Sequence, residues 1–247
     1  MQPFPEAQTC GDFTILLDWQ LAIDAARVLR GQGVDPEVIR QRRPRLVEIA
    51  QRAVDEGSAL IEPAAIYRVV AVEALRHERL SLVGGGRLSG ALIAQQLAAA
   101  EQVALIAATI GRQLERRVAA LMSIDPVYAL ALDGFGSAAA EALSAAVCAF
   151  IEEQAARNQQ CTSIPLNPGS MGWPVEVGQL EIFQLLDGGL IGLTLNDSAQ
   201  MIPRKSVSMV LGLSHNRFAE GRPCDFCTLR ETCRYQDRHA HAPNISG

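Results

Sequence analysis

The sequence predicts an α+β fold, with a helix-rich N-terminal part followed by a strand-rich part and a Cys-rich tail. Three observations predict it. Asp35-Pro36 and Asp125-Pro126 each place a capping side chain before a proline suited to the first helical turn. Alanine and leucine dominate while aromatic residues reach only 5%, a composition that favours helix. After Cys161 the character changes to a Pro/Gly loop and two runs of alternating apolar residues.

Taken in order, residues 13–18 (FTILLD) read as a short strand with a helical region after it. From Asp35, Ile39, Leu46, Ile49, Ala50, Ala53 and Val54 recur at helical spacing up to Gly57. Pro44 makes this run either one kinked helix or two pieces. Residues 62–76 read as a further helix. RLSLVGGGRLSG (79–90) reads as a strand, a glycine turn and a helix capped by Ser89. The GGG lacks the Gly-Lys-Ser/Thr ending of a phosphate loop and the dinucleotide-binding spacing, so a plain turn is expected. Residues 89–122 read as helical, split at Gly111, with Thr109 as cap of the second half.

From Asp125 a long helix is expected to about Asn158. Gly134 and Gly136 lie inside it, and each costs roughly 1 kcal/mol relative to alanine, so each requires a packing or contact reason. The loop SIPLNPGSMGWPVE (163–176) follows, then a short helix over 175–187. LIGLTLND (190–197) and SVSMVLGL (206–213) read as antiparallel strands with a long loop between them. Val207, Met209, Leu211 and Leu213 share one face of the second run.

Bulk properties narrow the function classes. The 247 residues divide into a main domain over 1–218 and a tail over 219–247. A net charge of −5 gives no basic footprint for nucleic acid. No uncharged apolar run reaches the ~18 residues of a membrane span. The start, MQPFPEAQTCGDF, lacks the basic and apolar regions of a signal peptide, so a cytoplasmic protein is expected. No Ser/His/Asp set, HExxH motif or carboxylate pair stands out, and His77 and His215 read as structural.

The sharpest chemical signal is CDFCTLRETC, which sets Cys224, Cys227 and Cys233 at Cys-x2-Cys-x5-Cys spacing. In a reducing compartment three such thiolates indicate a metal site rather than disulfides. A 4Fe–4S cluster needs a fourth cysteine, available as Cys161 or Cys10. Zinc accepts Cys3His, with His239 or His241 just downstream.

TIGRQLERR, LDGFGSAAAEAL, NPGSMGWPVEVGQLEIFQLLD and IGLTLNDSAQMIPRKSVSMVLGLSHN occur in this order. Together, over about residues 62–215, they resemble the activation domain of vitamin B12-dependent methionine synthase and its free-standing relatives associated with corrinoid methyltransferases. The resemblance implies a twisted antiparallel sheet with flanking helices. It also implies the reductive reactivation of a corrinoid protein whose cob(I)alamin has oxidised to cob(II)alamin. S-adenosylmethionine is presented to the cobalt while a reductant supplies an electron. By the same resemblance Glu141 lies near the adenosylmethionine groove, and Asn167, Pro168, Gly169 and Ser170 form its loop, followed by the matching pair Trp173 and Pro174. Thr194, Ser198 and Ser206 are candidate polar contacts from the hairpin region.

Three positions depart from the pattern: Pro165 stands where the family has an arginine, and Ser170 and Leu211 where it has tyrosines. An arginine fork grips a carboxylate in two places, and proline cannot replace it. The loop therefore reads either as a rigid turn or as a contact for ligand or corrinoid, and Trp173 as core residue or as platform. Two functions compete. One is a reactivation factor that passes an electron through a Cys-bound cluster to a corrinoid protein or methyltransferase. The other is a non-catalytic ligand- or partner-binding module with a structural metal. A methyl-transferring enzyme is a third, weaker reading.

Overall fold

The computed structural model describes residues 5–221, 223–226 and 231. Its frame is an antiparallel sheet in the order β1 (Glu6–Cys10), β2 (Phe13–Leu17), β3 (Ala64–Arg76), β6 (Gln102–Thr109), β10 (Ser206–Ser214) and β7 (Cys161–Thr162). β3 outruns the sheet: a register shift between Val72 and Ala74 sends its end to pair with β4 (Arg79–Leu82), which pairs in turn with β5 (Arg87–Ser89).

Both faces of the central strands are covered. Along β6, Ala104, Ile106 and Ala108 enter one core, while Val103, Leu105 and Ala107 enter the other. This explains two corrections. Residues 62–76 and the centre of 89–122, read as helix, are the strands β3 and β6. β6 is buried on both faces and so loses its apolar–polar alternation, while β3 carries apolar side chains even where it is exposed, at Val69 and Leu75. Each run then looks like a helix segment.

The first core is closed by α1 (Ala25–Gly31), α3 (Pro44–Gly57), α5 (Gln113–Leu121) and α6 (Pro126–Arg157). The cap signals hold. Asp35 Oδ1 accepts from the Glu37 N–H at 2.8 Å, and Asp125 Oδ1 from the Tyr128 N–H at 3.1 Å. Pro44 makes two helices, ending α2 (Pro36–Arg42) and starting α3. α6 is long and apolar enough to cross a membrane by length and composition, but half of its most apolar window is buried inside this fold. Its glycines have the reason they needed. A Cβ on Gly31 would stand 2.2 Å from the Gly134 carbonyl oxygen, so α1 and α6 touch backbone to backbone. A Cβ on Gly136 would meet Leu114 at 2.5 Å.

The second core is closed by shorter pieces: the β4–β5 hairpin, α4 (Ala91–Gln96), the 163–174 loop, α7 (Val175–Phe183) and a 3-10 turn over Gly188–Ile191. Here the sequence reading needs three more corrections. Ser89 caps nothing; it ends β5, and α4 starts after Gly90 without a side-chain cap. Thr109 ends β6, and α5 begins at Gln113 behind Arg112. LIGLTLND is not a long strand, because Gly188, Gly189 and Gly192 turn the chain. Only Thr194–Leu195 remains as β8, paired with β9 (Met201–Ile202), and β10 pairs with β6 and β7 instead. Val207, Met209, Leu211 and Leu213 do share a face, the one toward the first core.

The tail expected to bind a metal lies largely outside the described residues. That holds for the side chains of Cys224, Cys227 and Cys233 and for His239 and His241, and so for most of the segment assigned to residues 219–247. The 3-10 turn Pro223–Phe226 is described, and Phe226 packs against the second core.

Candidate functional site

The sequence-marked loop runs along β10 as an irregular edge strand. The Ser163 N–H donates to the Gly212 carbonyl at 3.0 Å, and the Gly212 N–H to Ser163 Oγ at 2.8 Å. Leu166 and Val210 exchange backbone bonds at 3.0 and 2.9 Å. Asn167 Nδ2 then donates to the Ser208 carbonyl at 2.9 Å. Beyond Ser208 the loop turns away, and among the described residues no backbone bond reaches the outer edge of β10 at Ser206, which leaves that edge open. Backbone groups alternate along an antiparallel strand, so Ser206 and Ser208 point theirs outward as Val210 does.

The turn itself is tight. Gly169 sits at φ +98°, and its N–H donates to the Trp173 carbonyl at 2.8 Å. Trp173 is 1% exposed, so it is a core residue and not a binding platform. Its indole N–H donates to Glu181 Oε2 at 2.9 Å. The same carboxylate accepts from the Ser89 N–H at 3.1 Å and from the Ser89 hydroxyl. Glu181 is thus a buried acid held by three donors, which ties loop, α7 and β5 together. Gln179 on the same helix accepts from Ser208 Oγ at 3.0 Å. α7 lies so close that a Cβ on Gly178 would stand 2.7 Å from the Trp173 ring and 2.9 Å from Pro168. The Met171 N–H donates to the Phe226 carbonyl at 3.1 Å, so the first turn of the tail is fastened to this loop.

On the other side of the sheet α6 runs beside the same edge. Lys205 Nζ bridges Asp133 at 2.9 Å and Ser137 at 2.8 Å. Ser144 and Cys148 reach Met209 Sδ at 3.8 and 3.3 Å. Glu141 lies four residues from Ser137 and three from Ser144, hence on the same helix face. Lys205 is thus tied down, while Arg204 beside it is exposed. Burial pushes the Cys148 thiol up to about 12, with the Glu152 carboxylate adding to it.

The structure brings Asn167, Pro168, Gly169 and Ser170 together in one turn beside β10, while Glu141 lies on the α6 face that packs against the same strand from the other side of the sheet. Ser206 belongs there by strand position, but its hydroxyl is turned inward onto Thr109 Oγ1 at 2.9 Å and the Pro203 carbonyl at 2.7 Å. Thr194 and Ser198 do not join them. Thr194 lines a separate cavity of about 490 Å³ with Phe13, Arg68, Phe183 and Asp187. Ser198 sits in the exposed β8–β9 turn, its N–H bonded to Asn196 Oδ1 at 3.0 Å. Cys161 is exposed on β7, and among the described residues no three metal-binding side chains converge. Leu211 is 0% exposed in the first core, away from the open edge.

Sequence reasoning missed Glu181, Gln179 and the basic hairpin tip Arg76–Arg79. The tip was legible only as two arginines and a histidine within four residues, RHER, and was hidden by reading 62–76 as helix.

Comparison with solved structures gives the class. The chain has the fold of the reactivation domain in the crystal structure of the MetH reactivation domain bound to AdoHcy, with a TM-score of 0.58. The likeness spans 98% of this chain and 93% of that one, at 14% sequence identity. No protein-family model and no curated protein matches the chain.

Proposed function

We propose that this chain is a reactivation module for a corrinoid protein or a corrinoid-dependent methyltransferase. The observation that carries the reading is the shared fold over 98% of the chain, together with the ordered segments that first marked the resemblance. The open edge of β10, between Glu141 on α6 and the Asn167–Ser170 turn, is the surface that meets the corrinoid. The turn is preformed: its backbone bonds are internal, and Trp173, Glu181 and Gly178 lock it from behind. Such rigidity suits a surface that must meet a partner without first ordering itself.

S-adenosylmethionine is the ligand this fold suggests, and three residues shape how it would bind. Pro165 and Ser170 offer no carboxylate fork, and Leu211 is committed to the core. The outward backbone of Ser206 and the Asn167–Ser170 turn are the contacts we propose for it, with Glu141 on α6 beside them. Calorimetry with S-adenosylmethionine and with S-adenosylhomocysteine tests this directly. Micromolar binding, weakened by Glu141→Gln, supports the reading. The absence of heat at millimolar ligand would favour the second reading, a partner-binding module, which the same three departures support.

For the reductive half we propose that Cys224, Cys227 and Cys233, with Cys161 as fourth thiolate, hold a 4Fe–4S cluster that carries the electron. The donor types fit that group, and the Met171–Phe226 bond fastens the tail to the loop facing the corrinoid. Anaerobically purified protein should contain iron and acid-labile sulfide in equal amounts. Stoichiometric zinc without iron sinks the electron-transfer part and leaves a structural site. Cys10, Cys148 and Cys161 are free thiols, which suits the reducing cytoplasm where we place the protein.

A further inference from the structure

A second groove, of about 870 Å³, opens between the β3–β4 tip and the start of α7. Arg76, His77, Glu78 and Arg79 form one wall, Pro174 and Val177 the other, and Gly90 and Gly172 the floor. Three features of it point to an anion. Arg76 and Arg79 are directly opposed in the β3–β4 register, which sets their Cβ atoms about 4.5–5.5 Å apart. Like charges in that arrangement destabilise a sheet. Among the described residues none of Arg76, His77 and Arg79 is in an ion pair. Glu78 is the one acid at the tip, against three basic side chains; the buried Glu181 behind the groove has its oxygens taken by Ser89 and Trp173.

His77 stands at φ +56°, a left-handed position uncommon for a residue with a side chain, and it puts the imidazole at the same tip. The floor is backbone. A Cβ on Gly90 would lie 2.6 Å from the Gly172 carbonyl oxygen, so the close approach needs glycine at 90, and Gly172 stands at φ +74°. The chain as a whole carries −5, so this is a local reversal of sign in a concave site.

We infer that this groove binds a phosphate-bearing small molecule, gripped by Arg76 and Arg79. Two guanidinium forks, opposed across one strand pair, converge on the several oxygens of a phosphate better than on a single carboxylate. The bound anion would also relieve the repulsion between them. The inference does not rest on the corrinoid reading: Gly172 and Pro174 lie at the end of the loop assigned to the corrinoid surface, but Arg76 and Arg79, which grip the anion, lie on the β3–β4 tip.

Trp173, which borders Gly172 and Pro174, supplies the readout. In a Trp19→Phe background its fluorescence is followed while inorganic pyrophosphate, ADP or citrate is added at constant ionic strength. Saturable binding of pyrophosphate or ADP is expected, and which of them binds tighter separates a bare phosphate site from a nucleotide site. Arg76→Ala/Arg79→Ala should weaken it by ~10-fold or more, while Arg76→Lys/Arg79→Lys, which keeps the charge, should lose less. Far-UV circular dichroism checks that both variants fold, as exposed tip residues should allow. No saturable response by ~10 mM, or undiminished affinity in the alanine variant, overturns the inference. So does citrate binding as tightly as pyrophosphate.

Discussion

The two faces of the sheet bury their cores by different means. On the helical face α1, α3, α5 and α6 pack through alanine and glycine, close enough for Gly31 to meet the Gly134 backbone. On the loop face the covering pieces are short, and polar groups hold them. Tyr128 aside, every buried polar side chain among the described residues comes from strands, loops, α4 or α7. Long helices satisfy their own backbone, so a face made of them needs only shape. Short pieces leave many donors and acceptors to be matched across elements. The loop face is where the candidate surfaces lie, and it is the face whose geometry depends on single hydrogen bonds.

The contrast can be tested from both sides. Phe135→Ala should have the largest effect, a loss of about 3–5 kcal/mol, because the ring is fully buried against Gly57 in the helical core. Urea unfolding should then show one transition at a lower midpoint. Trp173→Phe keeps the packing but removes one of the three donors to the buried Glu181, and should cost about 1–3 kcal/mol. Hydrogen exchange should quicken in α7 and the 163–174 loop before it does in α6. Equal loss of protection in α6 would mean the two faces are one cooperative unit.

Tyr128→Phe tests the polar link on the helical face. The Tyr128 hydroxyl donates to Glu56 Oε2 at 2.6 Å, and burial raises this phenol to about 12, with the Glu56 bond adding to the rise. The same bond, followed by the Arg117 guanidinium, holds the Glu56 carboxyl below its usual 4.5. A depressed carboxyl stabilises the fold above its unfolded value, and that stability is lost as pH falls through the folded value. Removing the hydroxyl should cost about 1 kcal/mol at neutral pH and flatten the acid limb of a stability–pH curve. The smallest effect has the opposite sign. Gln96 Oε1 is buried on the loop face without a partner among the described residues, so Gln96→Met should be neutral or stabilising by up to about 1 kcal/mol in the same urea assay.

The candidate site was legible in parts. The turn at Asn167–Ser170 was readable because Pro and Gly dictate local geometry whatever surrounds them, whereas Trp173 was left as core residue or platform until its burial decided it. Thr194 and Ser198 were misplaced with it, because the glycines at 188, 189 and 192 dissolve the strand that would have carried them there. The partner of the indole, Glu181, was not readable. A glutamate in a helix is nearly always solvated, and only the arrival of Ser89 from β5 makes this one a buried acceptor.

By itself the sequence determined the helix starts at Asp35 and Asp125, the break at Pro44, the long α6 and the inward face of β10. Each of these is settled within a few residues, by a cap, a ring or a period. Only the tertiary structure decided that β3 and β6 are strands, that the Arg76–Arg79 tip faces the start of α7, and that Asn167 is tied to β10 at Ser208. A strand's hydrogen-bond partners lie far along the chain, and burial on both faces erases the alternation that would have announced it.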